Sequence, residues 1–296
     1  MKKSLFLLLC LLVLPLIVHS QTNRALFVVI ENYNPDNGWR VLHSLNDYKL
    51  LKPLLVANKY AEQNIRLLKD QQATKAGIVS ALNRLKQQTN AGDYVYIHFS
   101  GHGQQMADDN FDEKDGWDEA FIPYDAYYRY EPSYYEGKNH LRDDELEGYI
   151  DGIRLKAGPT GNVFVVMDAC HSSTGTREEE DEFIRGTAFP FDKERYKIER
   201  NISKQKDKLT NNARMSPCTV FSACQATEAN IEYPHTDGKH YGRLSFALHH
   251  VLSTKQAYTV NGLMNAIKLC FSNLPKNKQT PFTDTTNGNM TFKLGR

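Results

Sequence analysis

Apolar runs of strand length alternate along this chain with segments in which apolar residues recur at helical spacing. The strand-like runs cover residues 25–33, 64–70, 91–99, 161–169 and 218–224, with a further edge strand predicted at 289–294. The helical pattern covers residues 45–60, 75–89, 141–153, 243–253 and 259–274. This alternation predicts an α/β fold, in which a mostly parallel sheet lies between two layers of helices.

Two long segments interrupt the alternation. Residues 106–140 are acidic and then rich in tyrosine, and residues 172–215 are polar and highly charged. Neither shows a helical or a strand period. Long irregular segments in a compact domain are usually functional or disordered, so both are candidates for a functional role.

The first twenty residues differ from the rest of the chain. A basic start at Lys2 and Lys3 precedes an apolar run from Leu5 to Val18, and the small residue Ser20 follows. This is the pattern of a secretory signal peptide cleaved near Ser20, whereas an uncleaved membrane anchor would have a longer apolar run. We therefore expect residues 1–20 to be removed, and the remainder to be secreted or periplasmic and free of the membrane.

Charge and cysteine content argue against a nucleic-acid-binding protein and against a domain held together by disulfides. The net charge is only +1, which gives no indication of nucleic-acid binding. Cys10 lies in the apolar leader, and the four other cysteines are too few for a disulfide scaffold. Cys270 has the setting of a packing residue in a helix, and Cys218 and Cys224 are too far apart in an extended segment to pair with each other.

The remaining cysteine, Cys170, follows the apolar run 161–169, and His102 follows the run 91–99 between two glycines. The carboxyl ends of parallel strands lie at one edge of a sheet, so these two residues meet if their strands are neighbours. A histidine that removes the thiol proton makes a cysteine nucleophilic. The backbone N–H groups of Gly103 and Cys170 are then suited to an oxyanion hole.

Asp168 lies two residues before Cys170 and therefore on the same side of the strand. A buried carboxylate there needs a cationic partner, such as a substrate arginine or lysine. A zinc site is the rival interpretation, since His98, His102, Asp168, Cys170 and His171 all carry zinc ligands. His98 and His102, however, are four residues apart, a spacing that aligns them on a helix rather than on a strand.

The motifs SGHGQQ (100–105) and DACHSST (168–174) resemble those of caspase-like cysteine peptidases, in particular the bacterial metacaspase-like group. The order RALFVVIENY, LHSLNDYKLL, GDYVYIHFSGHGQ, DEKDGWDEAFIPYD and LRDDEL extends the resemblance over residues 24 to 175. Ser173 departs from the pattern by replacing the glycine that often follows Cys-His-Ser. The resemblance implies a caspase-like three-layer α/β/α sandwich.

By this resemblance, residues 21–296 form one peptidase domain. A part like the larger caspase subunit (24–175) is joined by a charged linker (176–215) to a part like the smaller subunit (216–296). His102 becomes the general base and Cys170 the nucleophile of peptide-bond cleavage. Asp168 implies cleavage of peptide or protein substrates after arginine or lysine, with Glu228 or Glu232 as a second pocket acid. The linker contains several basic residues, including Arg177, Arg185, Arg195 and Arg200. One hypothesis is that the enzyme or another protease cuts the linker and thereby activates a zymogen, and the alternative is a solvated linker with no regulatory role.

The resemblance also extends to an acidic region that binds activating calcium in some relatives. Asp115, Asp143 and Asp144 are the corresponding candidate ligands, and the alternative is a solvated acidic loop that caps the start of a helix. No cofactor is required for the chemistry itself. Two alternatives stay open, namely a catalytically silent module that binds peptides or a partner, and a related peptidase or transpeptidase of other specificity. The sequence does not indicate the oligomeric state.

Overall fold

The structure is a computed structural model. It describes residues 21–110, 113, 116–169, 183–187, 189–192, 209–225, 228–254, 256–275, 277 and 279–295. The predicted leader (1–20), the candidate nucleophile Cys170 and the candidate calcium ligand Asp115 lie outside these residues.

Strands of the described chain form a six-stranded sheet with the order β11-β8-β7-β3-β1-β2. These strands are β1 (Asn23–Val29), β2 (Ile65–Lys69), β3 (Tyr94–Ser100), β7 (Asn162–Asp168), β8 (Cys218–Ser222) and β11 (Phe282–Thr285). All neighbouring pairs are parallel except β8 and β11. The predicted mostly parallel sheet is therefore confirmed.

Helices cover both faces of this sheet. Helices α2 (Lys75–Gln88) and α3 (Asp143–Ala157) pack on one face, and α1 (Ser44–Ala57), α4 (Arg243–Ser253) and α5 (Val260–Asn273) pack on the other. Each central strand sends alternate side chains into the two cores: Leu26 and Val28 of β1 face α2, whereas Phe27 and Val29 face α1. The result is the expected three-layer α/β/α sandwich.

A small antiparallel sheet lies beside the carboxyl end of β3. It contains β4 (Gly103–Ala107), β5 (Trp117–Phe121) and β6 (Leu141–Arg142), and β4 begins directly after His102. A two-stranded ribbon, β9 (Tyr233–Pro234) and β10 (His240–Tyr241), precedes α4. Residues 106–140 are thus not irregular throughout, because β4 and β5 enclose the acidic segment as the two arms of a hairpin.

The predicted edge strand at 289–294 is wrong. The edge strand of the described chain is β11, which pairs antiparallel with β8. Met290, Phe292 and Leu294 alternate because they pack on the core that contains α5, and not because they join the sheet. Within the described ranges, no helix has both the length and the apolar character needed to cross a bilayer.

Candidate active site

The register of the sheet places the two predicted site motifs side by side. Ser100 at the end of β3 pairs with Asp168 at the end of β7. His102 and Cys170 each follow two residues after these paired positions. The two strands on which a meeting of His102 and Cys170 depends are therefore neighbours, while Cys170 itself lies outside the described residues.

The ring of His102 is held in one orientation. Its Nε2 lies 2.9 Å from the backbone carbonyl oxygen of Arg40, which can only accept, so Nε2 carries the proton and donates it. Tyr33 and Trp39 pack around the ring at centroid distances of 5.0 and 4.9 Å. The backbone N–H of His102 also donates to the hydroxyl oxygen of Tyr33 at 2.8 Å. These contacts fix both the tautomer and the direction of the ring.

The other ring nitrogen of His102, Nδ1, keeps its lone pair. It is buried and has no hydrogen-bond partner among the described residues. Burial lowers the pKa of His102 to about 4, so the ring is neutral near pH 7. A neutral imidazole with an unengaged nitrogen has the form that a general base requires.

Three carboxylates form an acidic pocket beside this histidine. They belong to Asp47 in the first turn of α1, Asp168 at the end of β7, and Glu232 just before β9, and each is at most 2% exposed. The guanidinium of Arg185 fills the pocket and is itself fully buried. A buried charge needs paired partners, and this pocket supplies them from three separate parts of the chain.

The contacts of Arg185 are unequal among the three acids. Its Nη1 donates to Asp47 Oδ2 at 2.7 Å, and its Nε and Nη2 donate to Glu232 Oε1 at 3.1 and 2.8 Å. The nearest oxygen of the Asp168 carboxylate is 3.5 Å from Nη1, while the Asp168 backbone carbonyl accepts from it at 3.2 Å. Asp47 and Glu232 therefore bind the guanidinium more directly than Asp168 does.

The Asp168 carboxylate has other partners. Asn230 Nδ2 donates to its Oδ1 at 3.0 Å, and both the backbone N–H and the hydroxyl of Ser245 donate to its Oδ2, at 2.8 and 2.6 Å. These bonds fix the end of β7 against the start of α4. Asp168 thus lies at the predicted pocket and also holds the end of β7 against the start of α4.

The two pocket acids that bind Arg185 directly have opposite pKa shifts. Burial raises the pKa of Asp47 to about 6, although Arg185 opposes this change. Burial also acts to raise the pKa of Glu232, but Arg185 and the hydrogen bond from His43 Nδ1 at 2.7 Å outweigh it and lower the value to about 2. Glu232 therefore remains ionised at neutral pH and supplies a negative charge to the pocket.

The structure does not bring Glu228 to this pocket. Glu228 instead accepts from the backbone N–H of Thr280 at 2.7 Å and from its hydroxyl at 2.8 Å, and so ties two loops together. Of the two glutamates that the sequence left open as pocket acids, Glu232 is the one that contacts Arg185.

Sequence reasoning missed Asp47, although a signal for it exists. Asp47, Leu51 and Leu55 are all buried and lie four residues apart on one stripe of α1. A carboxylate in a stripe of leucines is a charge placed in the core, and such a charge needs a partner. The other missed contact is Ser100, whose hydroxyl donates to Asp47 Oδ2 at 2.6 Å and accepts from Arg185 Nη1 at 2.8 Å.

The described cysteines and histidines do not form the rival zinc site. His98 is buried on the face of the sheet that α1, α4 and α5 cover, where Tyr96 and Ser245 are its hydrogen-bond partners. Cys218 lies at the amino end of β8, where burial raises its pKa to about 12. Within the described ranges, the groups of three or more clustered metal ligands are all acidic.

One of these acidic groups contains two of the predicted calcium ligands. Carboxylate oxygens of Asp118, Asp143 and Asp144 lie within 4.8 Å of one another, and a neighbouring group joins Asp143 to Glu113 and Glu119. Asp118 is fully buried, with Oδ2 bound to Arg142. Its Oδ1 has no hydrogen-bond partner among the described residues.

Comparisons with known proteins agree with this arrangement. A family model described as "Metacaspase, peptidase C14 domain" matches residues 23–177. Metacaspase-1 of Eremothecium gossypii is 31% identical over 163 residues, which are 51% of this chain and 32% of that protein. Metacaspase-1A of Aspergillus oryzae is 31% identical over 165 residues, 52% of this chain and 35% of that protein. The matched region thus spans about a third of the length of these relatives.

A solved structure extends the likeness over more of the chain. The crystal structure of protein GSU0716 from Geobacter sulfurreducens superposes with a TM-score of 0.61 and covers 89% of this chain and 93% of that one. The sequence identity is 21%, so this likeness supports the fold alone.

Proposed function

The chain belongs to the metacaspase family of peptidase C14 domains, and from this premise we propose that it is a cysteine-type endopeptidase with His102 as general base and Cys170 as nucleophile. The observation that carries the proposal is the His102 ring. Its tautomer is fixed by the Arg40 carbonyl, and its Nδ1 is left unengaged among the described residues at the carboxyl edge of β3 and β7. The match to a peptidase family supports the same chemistry.

In the proposed reaction, His102 Nδ1 accepts the thiol proton of Cys170, and the thiolate attacks the scissile carbonyl carbon. The N–H of Gly103 donates to the oxygen that becomes negative. His102 then gives its proton to the leaving amine, and water hydrolyses the acyl-enzyme. The Arg40 carbonyl takes the place of a carboxylate in orienting the base and stabilising its protonated form.

The acidic pocket supports specificity for a basic residue before the scissile bond. Asp47 and Glu232 already bind one guanidinium, and all three side chains are buried. A substrate aspartate or asparagine in the same place would leave several carboxylates buried without a cation, which is costly. Arginine or lysine is therefore the proposed substrate residue.

Hydrolysis of four fluorogenic peptides ending in Arg, Lys, Asn or Asp tests both parts of the proposal. We expect cleavage after Arg and Lys only, its loss in Cys170→Ala, and its retention in Cys270→Ala, a matched change in helix α5. Activity that survives in Cys170→Ala refutes the nucleophile. A folded protein with a cut linker that binds Arg peptides without cleaving them is instead a silent binding module, whereas an uncut protein that cleaves no peptide is a zymogen.

We also propose that the protein is exported and loses residues 1–20. The basic start, the apolar run and Ser20 support this. Expression of the full chain in a Gram-negative host, followed by amino-terminal sequencing of the periplasmic fraction, should give Gln21 as the first residue. A protein that keeps Met1 and stays with the membrane contradicts the proposal.

Calcium is proposed as a ligand of the acidic group at Asp118, Asp143 and Asp144. Calcium prefers several carboxylate oxygens, and the buried Oδ1 of Asp118 is an oxygen with no hydrogen-bond partner among the described residues. Burial raises the pKa of Asp118 to about 7, and a bound cation would counter that cost.

A thermal unfolding titration with calcium chloride tests this site without any assay of activity. At a hundredfold excess over the dissociation constant, a bound ion stabilises by about 2.7 kcal/mol, and the midpoint should rise accordingly. Asp118→Asn should abolish the rise, whereas Asp109→Asn, an exposed neighbour, should keep it. Equal responses of the two variants would place the ion elsewhere.

A further inference from the structure

A cavity lies at the amino end of the central sheet, away from the candidate active site. It has a volume of about 320 Å³ and is bounded by β1, β2 and helix α2. Arg24, which lines it, precedes Val29 by five residues on β1, and Val29 pairs with Ser100 beside the candidate active site. At about 3.3 Å per residue, the cavity is roughly 17 Å from that end of the sheet. The proposed peptidase chemistry therefore does not use it.

Three arginines from three different elements line this cavity. They are Arg24 of β1, Arg66 of β2 and Arg84 of α2. Arg66 pairs with Leu26, whose side chain packs in the core beneath α2. Arg24 lies two residues before Leu26 and so on the same face of the sheet, which is the face that carries Arg84 above it. The three guanidinium groups therefore come together although they are distant in sequence.

The guanidinium of Arg24 is held at the cavity by Asp93. Arg24 Nε donates to Asp93 Oδ2 at 2.9 Å, and its two Nη nitrogens have no hydrogen-bond partner among the described residues. The Asp93 carboxylate is buried and also accepts from the backbone N–H groups of Thr22 and Asn90, at 2.8 and 3.0 Å. Asp93 thus orients this guanidinium and balances one positive charge.

The charges of the two other arginines are not balanced in the same way. Arg66 and Arg84 are exposed, and neither has a hydrogen bond or an ion pair with a described residue. None of the described residues that line the cavity is acidic. Positive charge is therefore concentrated at this one cavity, in a chain whose net charge is only +1. Such a cavity selects an anion.

Three side-chain amides complete the polar lining, namely Gln63 and Asn64 just before β2 and Gln88 one helical turn after Arg84. An amide side chain both donates and accepts hydrogen bonds, as a hydroxyl group does, so the two are well matched. Guanidinium groups bind phosphate oxygens through paired N–H donors. The volume lies at the lower end of the range of about 300–1,000 Å³ for small-molecule pockets, so the cavity admits more than a bare phosphate ion.

We propose that this cavity binds a small phosphate monoester that carries hydroxyl groups, the chemistry of a sugar phosphate. A phosphate monoester carries a charge of about −1.5 to −2 at neutral pH and three strong acceptor oxygens. That charge matches Arg66 and Arg84, the two arginines without an acidic partner among the described residues. The amides of Gln63, Asn64 and Gln88 then bind the hydroxyl groups.

Isothermal titration calorimetry of the purified protein with glucose 6-phosphate tests the proposal without any assay of peptidase activity. We expect one site per chain, tighter binding than for inorganic phosphate, and no binding of glucose. Affinity should fall about tenfold as ionic strength rises from about 0.01 M to about 0.15 M, because the screening length shrinks from about 30 Å to about 8 Å. Cys170→Ala should bind as the wild type does, since the two sites are separate.

Two variants assign the binding to the cavity. Arg66→Gln and Arg84→Gln each remove one charge-assisted hydrogen-bond donor group, and each should weaken binding about tenfold. Lys86→Gln is the matched control, because Lys86 is also on α2 but lies against Gly152 of α3. It should bind as the wild type does. Urea unfolding without ligand should give equal midpoints for the three variants, since the two arginines are exposed.

Three results would overturn the proposal. Absence of binding at low ionic strength, or equal binding by the wild type and both arginine variants, excludes the cavity as the site. Equal affinity for glucose 6-phosphate and inorganic phosphate removes the role of the amides. Tighter binding of citrate than of glucose 6-phosphate would identify a carboxylate site instead. Each of these results leaves the proposed peptidase function standing.

Discussion

Replacing Glu232 by glutamine should change which basic residue the peptidase prefers. Glu232 Oε1 contacts both Nε and Nη2 of Arg185, and lysine has a single side-chain nitrogen that cannot occupy both positions. Asp47 contacts only Nη1, at the tip of the side chain, where a lysine ammonium also reaches. If substrates bind as Arg185 does, Glu232 favours arginine and Asp47 serves both residues.

The size of the effect follows from these two contacts. A hydrogen bond to a charged group contributes about 1.5–3 kcal/mol, and glutamine retains an acceptor oxygen but not the charge. We take the loss as one such bond, which lowers kcat/KM for an arginine peptide by about 10- to 150-fold. For a lysine peptide we expect kcat/KM to fall by about threefold or less, which is the scale of a weak electrostatic contact.

The assay compares two peptides that differ only in arginine against lysine, with enzyme that has already been processed. Glu228→Gln is the matched control, because this glutamate holds Thr280 and does not contact Arg185. Equal losses for the two peptides would refute the role of Glu232 in selecting arginine. A larger loss in Glu228→Gln would place the pocket acid in the other loop.

Three further predictions concern the same site. Gly242→Ala should abolish Arg-peptide hydrolysis, because its new methyl group would overlap Asp168 and Arg185, whereas Gly148→Ala, with nothing within 4 Å, should be neutral in the same assay. Tyr33→Phe should lower the free energy of unfolding by about 1–3 kcal/mol in urea titrations, since the buried N–H of His102 loses its acceptor; an unchanged midpoint contradicts this. In uncut Cys170→Ala protein, the Glu232 carboxylate should contribute about 3 kcal/mol to the free energy of unfolding above pH 4.5. This contribution should be lost as pH falls toward 2, because folding lowers the pKa of Glu232 from 4.5 to about 2. A difference in the free energy of unfolding between this protein and the Cys170→Ala, Glu232→Gln double variant that does not vary with pH would refute the prediction.

The strands that position the site could be predicted because they are buried on both faces. Runs such as 161–169 have no polar face, and the helices that connect these runs indicate that the strands pair in parallel. Their ends at Ser100 and Asp168 then fix where His102 lies. The edge strand β11 escaped prediction because Thr283 and Asp284 are not apolar, and an edge position does not require them to be.

The acidic pocket could be predicted only in part. Asp168 is visible beside its motif, but Glu232 and Asp47 are 64 and 121 residues away along the chain from it. The binding of residues 183–185 to 230–232 leaves no local period, because each segment is only three residues long. A linker rich in charge is typical of solvated chain, and nothing in its composition separates Arg185 from its neighbours.

The proposed arginine pocket is also suited to release its product. In the contacts of Arg185, a neutral carbonyl lies at Gly103 N–H and one guanidinium balances part of the charge on Asp47, Asp168 and Glu232. In the proposed reaction, hydrolysis turns the carbonyl of a substrate arginine into a carboxylate beside these three acids. Like charges at close range in a low-dielectric site repel strongly, so we expect the product to bind less well than the substrate.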